Sequence, residues 1–137
     1  MTPKYIYVPK NTVLNLRTPT IWLPARIIHC KQEIETDTIL DSGAEGIYCN
    51  SKFVKKCNIP TYPLISPLYP QNANGTFNKQ GLIRYATILR MEMGKHHTEY
   101  MEMAITDIGN HDIILGTDWL KAHNPSINWT GHKLLFD

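Results

Sequence analysis

Thr38-Ile39-Leu40-Asp41-Ser42-Gly43-Ala44 is the segment of this 137-residue chain best equipped for chemistry. Ile39 and Leu40 fit a strand leaving the core, and the strand delivers a carboxylate, a hydroxyl and a glycine at its mouth. A carboxylate in that place can take up and return a proton. Ser42 supplies a short hydroxyl able to lock the loop, and Gly43 permits a sharp turn with close backbone approach. The triplet by itself is a weak signal, because a strand-end Asx turn has the same outline. A second segment strengthens it: Asp112-Ile113-Ile114-Leu115-Gly116, followed at once by a helical pattern from Thr117 to His123. An apolar run ending in Gly116 suits a strand that crosses behind the Asp41 loop and lets another backbone pass close by.

The elements that must position these groups are read from a period of two. Ile21 to Ile28 is apolar and branched, with Pro24 marking an edge or a bulge because it cannot donate to a ladder. Ile34, Thr36 and Thr38 then alternate with Glu33, Glu35 and Asp37, which predicts a hairpin with one wet face. Leu82–Met93 and Thr98–Ile105, separated by Gly94-Lys95-His96-His97, predict a second hairpin with those four residues in its turn. Ile113-Ile114-Leu115 reads as a strand buried on both faces. Ser126–Trp129 and Lys133–Phe136, joined at Thr130-Gly131, predict a third hairpin. Two short helices complete the pattern. Asn50 or Ser51 caps one that carries Phe53, Val54 and Cys57 and stops before Pro60. Thr117 caps the other, with Asp118 at its positive end, His123 at its negative end and Asn124-Pro125 as its stop.

Composition narrows the class. Hydrophobic residues at 42 % and charged residues at 19 % suit one globular domain with its own core. A net charge of +2 is too small to argue for nucleic acid, and Lys52, Lys55 and Lys56 read as a solvated helix face. No apolar run is long enough to span a bilayer, and the N-terminus lacks the apolar core of a signal peptide, so a soluble intracellular protein is expected. Cys30, Cys49 and Cys57 are odd in number and form no CxxC pair; they read as small buried hydrophobes in a reducing compartment. His96-His97 has no companion ligands at suitable spacing, so no metal is expected.

Ile39–Ala44 and Asp112–Trp129 ("DIILGTDWLKAHNPSINW") together resemble the retropepsins, most closely the protease domain of gypsy-type long-terminal-repeat retrotransposon polyproteins. The likeness runs from Ile21 to Phe136. It implies a mainly β, closed acid-protease barrel with one or two short helices over residues 21–137, after an arm or lead-in over residues 1–20. It implies an aspartic endopeptidase with no cofactor and no metal, in the cytoplasm or within retrotransposon particles, processing a Gag-Pol polyprotein. Asp41 is then the catalytic carboxylate, and Ser42 the hydroxyl that braces two active-site loops across a dimer. Gly43 offers its carbonyl to the substrate backbone, beside Ala44 and Glu45. Ile114, Leu115 and Gly116 form the structural second motif. Gln71–Thr76 fits the family's flap, with Asn74, Gly75 and Thr76 over the bound peptide; Asn-Gly favours a primed hairpin turn, and Pro70 and Gly81 are its flexing points. Retroviral members usually have Asp where Glu45 stands, bonded to a basic residue where Thr117 stands, so that ion pair cannot form here. Gly46 leaves the adjoining pocket small.

Hydrolysis of this kind needs two carboxylates in near contact sharing one proton. The chain has one such triplet; Asp107-Ile108-Gly109 lacks the hydroxyl and reads as a turn. The second carboxylate must come from an identical subunit across a two-fold axis, with Lys133–Phe136 and Tyr5–Val8 as candidate interface strands. The second reading is a catalytically silent, retroelement-derived domain that dimerises or binds peptide; the intact Asp41-Ser42-Gly43 weighs against it. A nucleic-acid-binding barrel would interleave basic and aromatic residues on one face, and the tyrosines show no such placement.

Overall fold

A computed structural model describes residues 12–15, 22–29, 31–68, 82–94, 97–128 and 133–136. Strands β2 (Trp22–His29) and β3 (Gln32–Leu40) form the first expected hairpin, in register from Trp22 opposite Ile39 to His29 opposite Gln32. Alternation sorts the faces: Thr36 and Thr38 are buried while Glu33 and Glu35 are exposed. Pro24 faces Asp37 and precedes Arg26–Ile28, the part of β2 that pairs on its other side, so its missing N–H disturbs no second ladder.

After the Asp41 loop, β4 (Ile47–Asn50) runs into α1 (Ser51–Cys57). Asn50 is the N-cap, its side chain accepting the Lys52 N–H at 3.0 Å. Asn58 ends the helix in the left-handed region at φ 53°. Strand β5 (Tyr62–Leu68) is followed by the long hairpin β6 (Ile83–Met93) and β7 (His97–Thr106), which turns at Gly94 with φ 66°. Here the expected turn is too long. His97 belongs to β7, opposite Met93, and is fully buried, because the inward face of β7 begins with it and continues through Glu99, Met101 and Met103.

Strand β8 (Ile113–Leu115), helix α2 (Thr117–His123), β9 (Ser126–Asn128) and β10 (Lys133–Phe136) complete the order. Strands β2, β3, β8, β4, β7 and β6 neighbour one another in that sequence, and the β2–β6 pairing closes them into a six-stranded barrel with β5 outside on β6. Closure removes the open edges of the sheet. The interior is filled by Leu23, Ile27, Leu40, Leu89, Met91, Met93, Met101 and Met103, with Trp119 of α2 buried against them. Ile113, Ile114 and Leu115 are buried on both faces as expected, with β8 parallel to β3 and antiparallel to β4.

A second sheet has the order β1-β10-β9, where β1 is Thr12–Asn15. The third expected hairpin is therefore present as the β9–β10 pairing, and its turn lies outside the described residues. The role expected for Lys133–Phe136 needs correction: β10 is central, with β1 on one edge and β9 on the other. Among the described residues, the edges that this pairing leaves without a neighbouring strand belong to β1 and β9. Tyr5–Val8 lies outside the described residues.

No described helix is long and apolar enough to cross a membrane. Cys49 is fully buried, and Cys57 is half-buried; Cys30 lies outside the described residues. Burial, reinforced by the negative charge of Asp112, pushes the Cys49 thiol up to about 12. In the native state Cys49 is therefore expected to alkylate at least about 10³-fold more slowly than Cys57, with the difference collapsing in denaturant. Peptide mass mapping after timed iodoacetamide labelling measures it; equal native rates would contradict the burial of Cys49.

Candidate active site

The parallel β3–β8 ladder places Asp41. Thr38, Ile39 and Leu40 pair with Ile113, Ile114 and Leu115, and the Asp41 N–H continues the ladder by donating to the Leu115 carbonyl at 3.0 Å. The loop then turns back at once. Ala44 N–H donates to the Asp41 carbonyl at 3.1 Å, and Gly43 N–H donates to Asp41 Oδ1 at 2.8 Å. That second bond orients the carboxylate while Asp41 itself stays half-exposed. Ser42 is exposed at the tip, Gly43 is half-buried, Ala44 is buried and Glu45 is exposed.

Helix α2 pins this loop from behind. The first N–H groups of a helix have no acceptor within it. Those at the start of α2 are taken by loop carbonyls: Gly116 N–H to Gly46 at 2.9 Å, Thr117 N–H to Ala44 at 2.9 Å and Asp118 N–H to Glu45 at 2.8 Å. The N-cap is Gly116, not Thr117 as the sequence pattern suggested, and no side chain caps the helix. The Thr117 hydroxyl instead donates to the Glu45 carbonyl at 3.1 Å. The loop is thus held through its main chain, without the ion pair that Thr117 cannot make, and the Glu45 carboxylate is left at the surface. Ile114 and Leu115 are core residues beneath the loop.

Sequence reasoning overlooked a second layer of support. Asn50 Nδ2 donates to the carbonyls of Gly109 at 2.9 Å and His111 at 2.8 Å, and its N–H donates to Asp112 at 2.8 Å. Thr36 Oγ1 donates to Asp112 Oδ2 at 3.0 Å, tying β3 to the entry of β8. Asp107-Ile108-Gly109 is the expected turn: Gly109 N–H donates to Asp107 Oδ1 at 2.9 Å, with Gly109 at φ 76°.

Beside the loop lies a cavity of about 360 Å³ bordered by Gly46, Tyr48, Leu64, Ile65, Glu102 and Ala104 among others. Gly46 N–H donates to Tyr48 Oη at 3.3 Å, and a Cβ at 46 would rest against the tyrosine ring at 3.5 Å, an ordinary van der Waals contact. Tyr62 donates a short hydrogen bond to Glu102 across the same region. Asn74, Gly75 and Thr76 lie outside the described residues.

A further polar group sits under α2. Glu99 and His97 are fully buried, and the His123 side chain is 5 % exposed; both imidazole Nε2 atoms approach Glu99 Oε2, at 3.2 Å for His97 and 2.8 Å for His123. Trp119 Nε1 donates to Glu99 Oε1 at 2.6 Å. Burial favours the neutral acid, yet the bonds from His123, His97 and Trp119 outweigh it and hold the Glu99 carboxyl below the usual carboxylate range. His123 therefore does not act as an exposed charge at the helix end. The signal in the sequence was Glu99 itself, a carboxylate in inward register with Met101 and Met103.

A closed barrel with a strand-end Asp-Ser-Gly loop pinned by a short helix defines the class of retropepsin-like protease domains. The solved structures that it resembles agree in fold. They include the retroviral protease-like domain of Ddi1 from Leishmania major, at 13 % identity and TM-score 0.51 over 88 % of this chain and 95 % of that one. A retropepsin-like aspartic protease from Rickettsia conorii matches at 14 % identity and TM-score 0.52 over 96 % of each chain. The PEG10/RTL1 protease domain family matches residues 37–137, and the chain belongs to that family.

Proposed function

We propose that this domain is an aspartic endopeptidase working as a homodimer, each subunit contributing Asp41 to one shared site. The observation that carries it is the Asp41 loop: a half-exposed carboxylate oriented by the Gly43 N–H and braced by three main-chain bonds from the start of α2. A carboxylate held this rigidly at a surface is prepared for a partner. Across a two-fold axis its twin would lie in near contact, the pair would keep one proton, and Ser42 would brace the opposite loop. The ionised Asp41 removes a proton from a bound water as the water attacks the scissile carbonyl, and the protonated one donates to the carbonyl oxygen. Gly43, Ala44 and Glu45 line the path of the substrate backbone, and the cavity bordered by Tyr48 and Ile65 accepts a substrate side chain. The flap role of Asn74, Gly75 and Thr76 belongs to the same proposal. So does the substrate class, a Gag-Pol-type polyprotein from a gypsy-type element, supported by the Asp112–Trp129 likeness. Among the described residues, the outer edges of β1 and β9 are the ones available for pairing between subunits.

Two behaviours follow from a shared, singly protonated pair. Specific activity should fall on dilution as dimers dissociate, and the pH profile should be bell-shaped on the acid side. A peptide-library cleavage screen at several pH values and protein concentrations, alongside sedimentation, tests both. Activity independent of concentration in a strictly monomeric sample would sink the proposal. A stable dimer with no cleavage under any condition would instead support the silent peptide-binding domain.

A further inference from the structure

The group beneath α2 has no part in the proposed peptide hydrolysis. We propose that His97, Glu99 and His123 form a binding site for one divalent transition-metal ion, zinc by ligand type, which would staple α2 to β7 behind the active-site loop. Two imidazoles and one carboxylate are a recurrent zinc ligand set. Their ligating atoms all lie within 4.8 Å of one another. A tetrahedral zinc with bonds of about 2.0–2.1 Å separates its ligands by about 3.3 Å. The observed contacts to Glu99 Oε2, 3.2 Å from His97 and 2.8 Å from His123, need open by at most about half an ångström, while the two imidazoles, within 4.8 Å of each other, close by at most about 1.5 Å to grip the ion.

The surroundings fit a ligand set as well. The Trp119 N–H fixes Glu99 Oε1, so the carboxylate is oriented by an outer partner with Oε2 turned to the imidazoles, as ligating carboxylates usually are. Among the described residues the group has three members, which leaves the fourth position to water or hydroxide; hydroxide with Glu99 balances the dication in this buried place. The strand and the helix that supply the ligands are linked through the core, and α2 in turn holds the Asp41 loop.

The test uses the whole chain, stripped with a chelator and titrated with Zn²⁺ and with Co²⁺ at neutral pH, so its readout is separate from peptide cleavage. The expected result is one ion per chain, a Co²⁺ visible spectrum of four-coordinate intensity, and a higher thermal midpoint with zinc. His123→Gln and Glu99→Gln should each weaken binding by at least about 100-fold, and Trp119→Phe by about 10- to 100-fold. His29→Gln, on the outer β2–β3 hairpin, should leave it unchanged. Failure of the wild-type chain to take up either ion overturns the proposal, and this measurement does not depend on any variant folding. Uptake that survives both His123→Gln and Glu99→Gln overturns it equally. So does a stability that follows pH alone and ignores added metal, which would mark the group as a shared-proton cluster.

Discussion

On the proposed mechanism, replacing Asp41 by Asn is expected to lower peptide cleavage by at least about 10³-fold with fold and dimerisation unchanged. The separation of those effects comes from the geometry. Asn has the shape of Asp, and its side-chain oxygen can still accept the Gly43 N–H now bound at 2.8 Å. The backbone bonds that hold the loop, from Asp41 N–H to Leu115 and from the start of α2 to Ala44, Glu45 and Gly46, involve no carboxylate. What disappears is the ability to accept a proton from water, and in a homodimer it disappears from both halves at once. A mixed dimer of parent and variant subunits should be similarly inactive, because one carboxylate facing an amide has no twin with which to divide the acid and base roles. Cleavage rate, thermal midpoint and sedimentation on the same samples make the comparison. If Asp41→Asn cleaves like the parent, Asp41 is not the catalyst and the proposed mechanism is wrong.

Gly116→Ala should be nearly as damaging to activity without touching any reacting group. A methyl at this position would press into the carbonyl oxygens of Gly46 and of Ala44, the latter at 2.5 Å, and into the Ala44 carbonyl carbon at 2.9 Å. All three atoms are backbone, so no side chain can swing aside; the loop and the start of α2 must move apart. A cost of about 2–3 kcal/mol is expected for overpacking of this kind. The bonds at risk are those that brace the Asp41 loop, so cleavage should fall at least about 100-fold even in protein that remains folded. Chemical denaturation and cleavage kinetics give the two numbers. A folded Gly116→Ala domain with parental activity would show that the brace behind Asp41 is not needed.

Much of the barrel was legible because strand alternation is local. Thr36 and Thr38 inward against Glu33 and Glu35 outward, and Met101 and Met103 inward against Tyr100 outward, are patterns that any pairing must respect. A cap at Asn50 or Ser51, of which the helix uses Asn50, and the Asn124 stop were legible for the same reason, since the bonding partners sit within one turn of the helix. The errors fell where a residue's role depends on distant chain. Thr117 has the type of an N-cap, but the carbonyls of Ala44, Glu45 and Gly46 already satisfy the helix start, so its hydroxyl bonds across to the loop. His97 follows a glycine and a lysine in a turn-like stretch, yet it is buried beneath a helix that begins twenty residues later. Lys133–Phe136 was legible as the hairpin partner of Ser126–Trp129 and as a candidate interface strand, but only its further pairing with β1 shows that neither of its edges is open.

The amino-acid order alone determined which residues could form strands, where Asp41 would emerge, and that this chain carries a single Asp-Ser-Gly triplet. It could do so because side-chain type, alternation and capping act over a few neighbouring residues. Tertiary structure decided the rest: that β2 closes on β6, that carbonyls after Asp41 meet the amides that open α2, and that two histidines converge on Glu99. Those contacts join segments far apart in the chain, and their distances are set by strand register and close packing, which no short stretch of sequence contains.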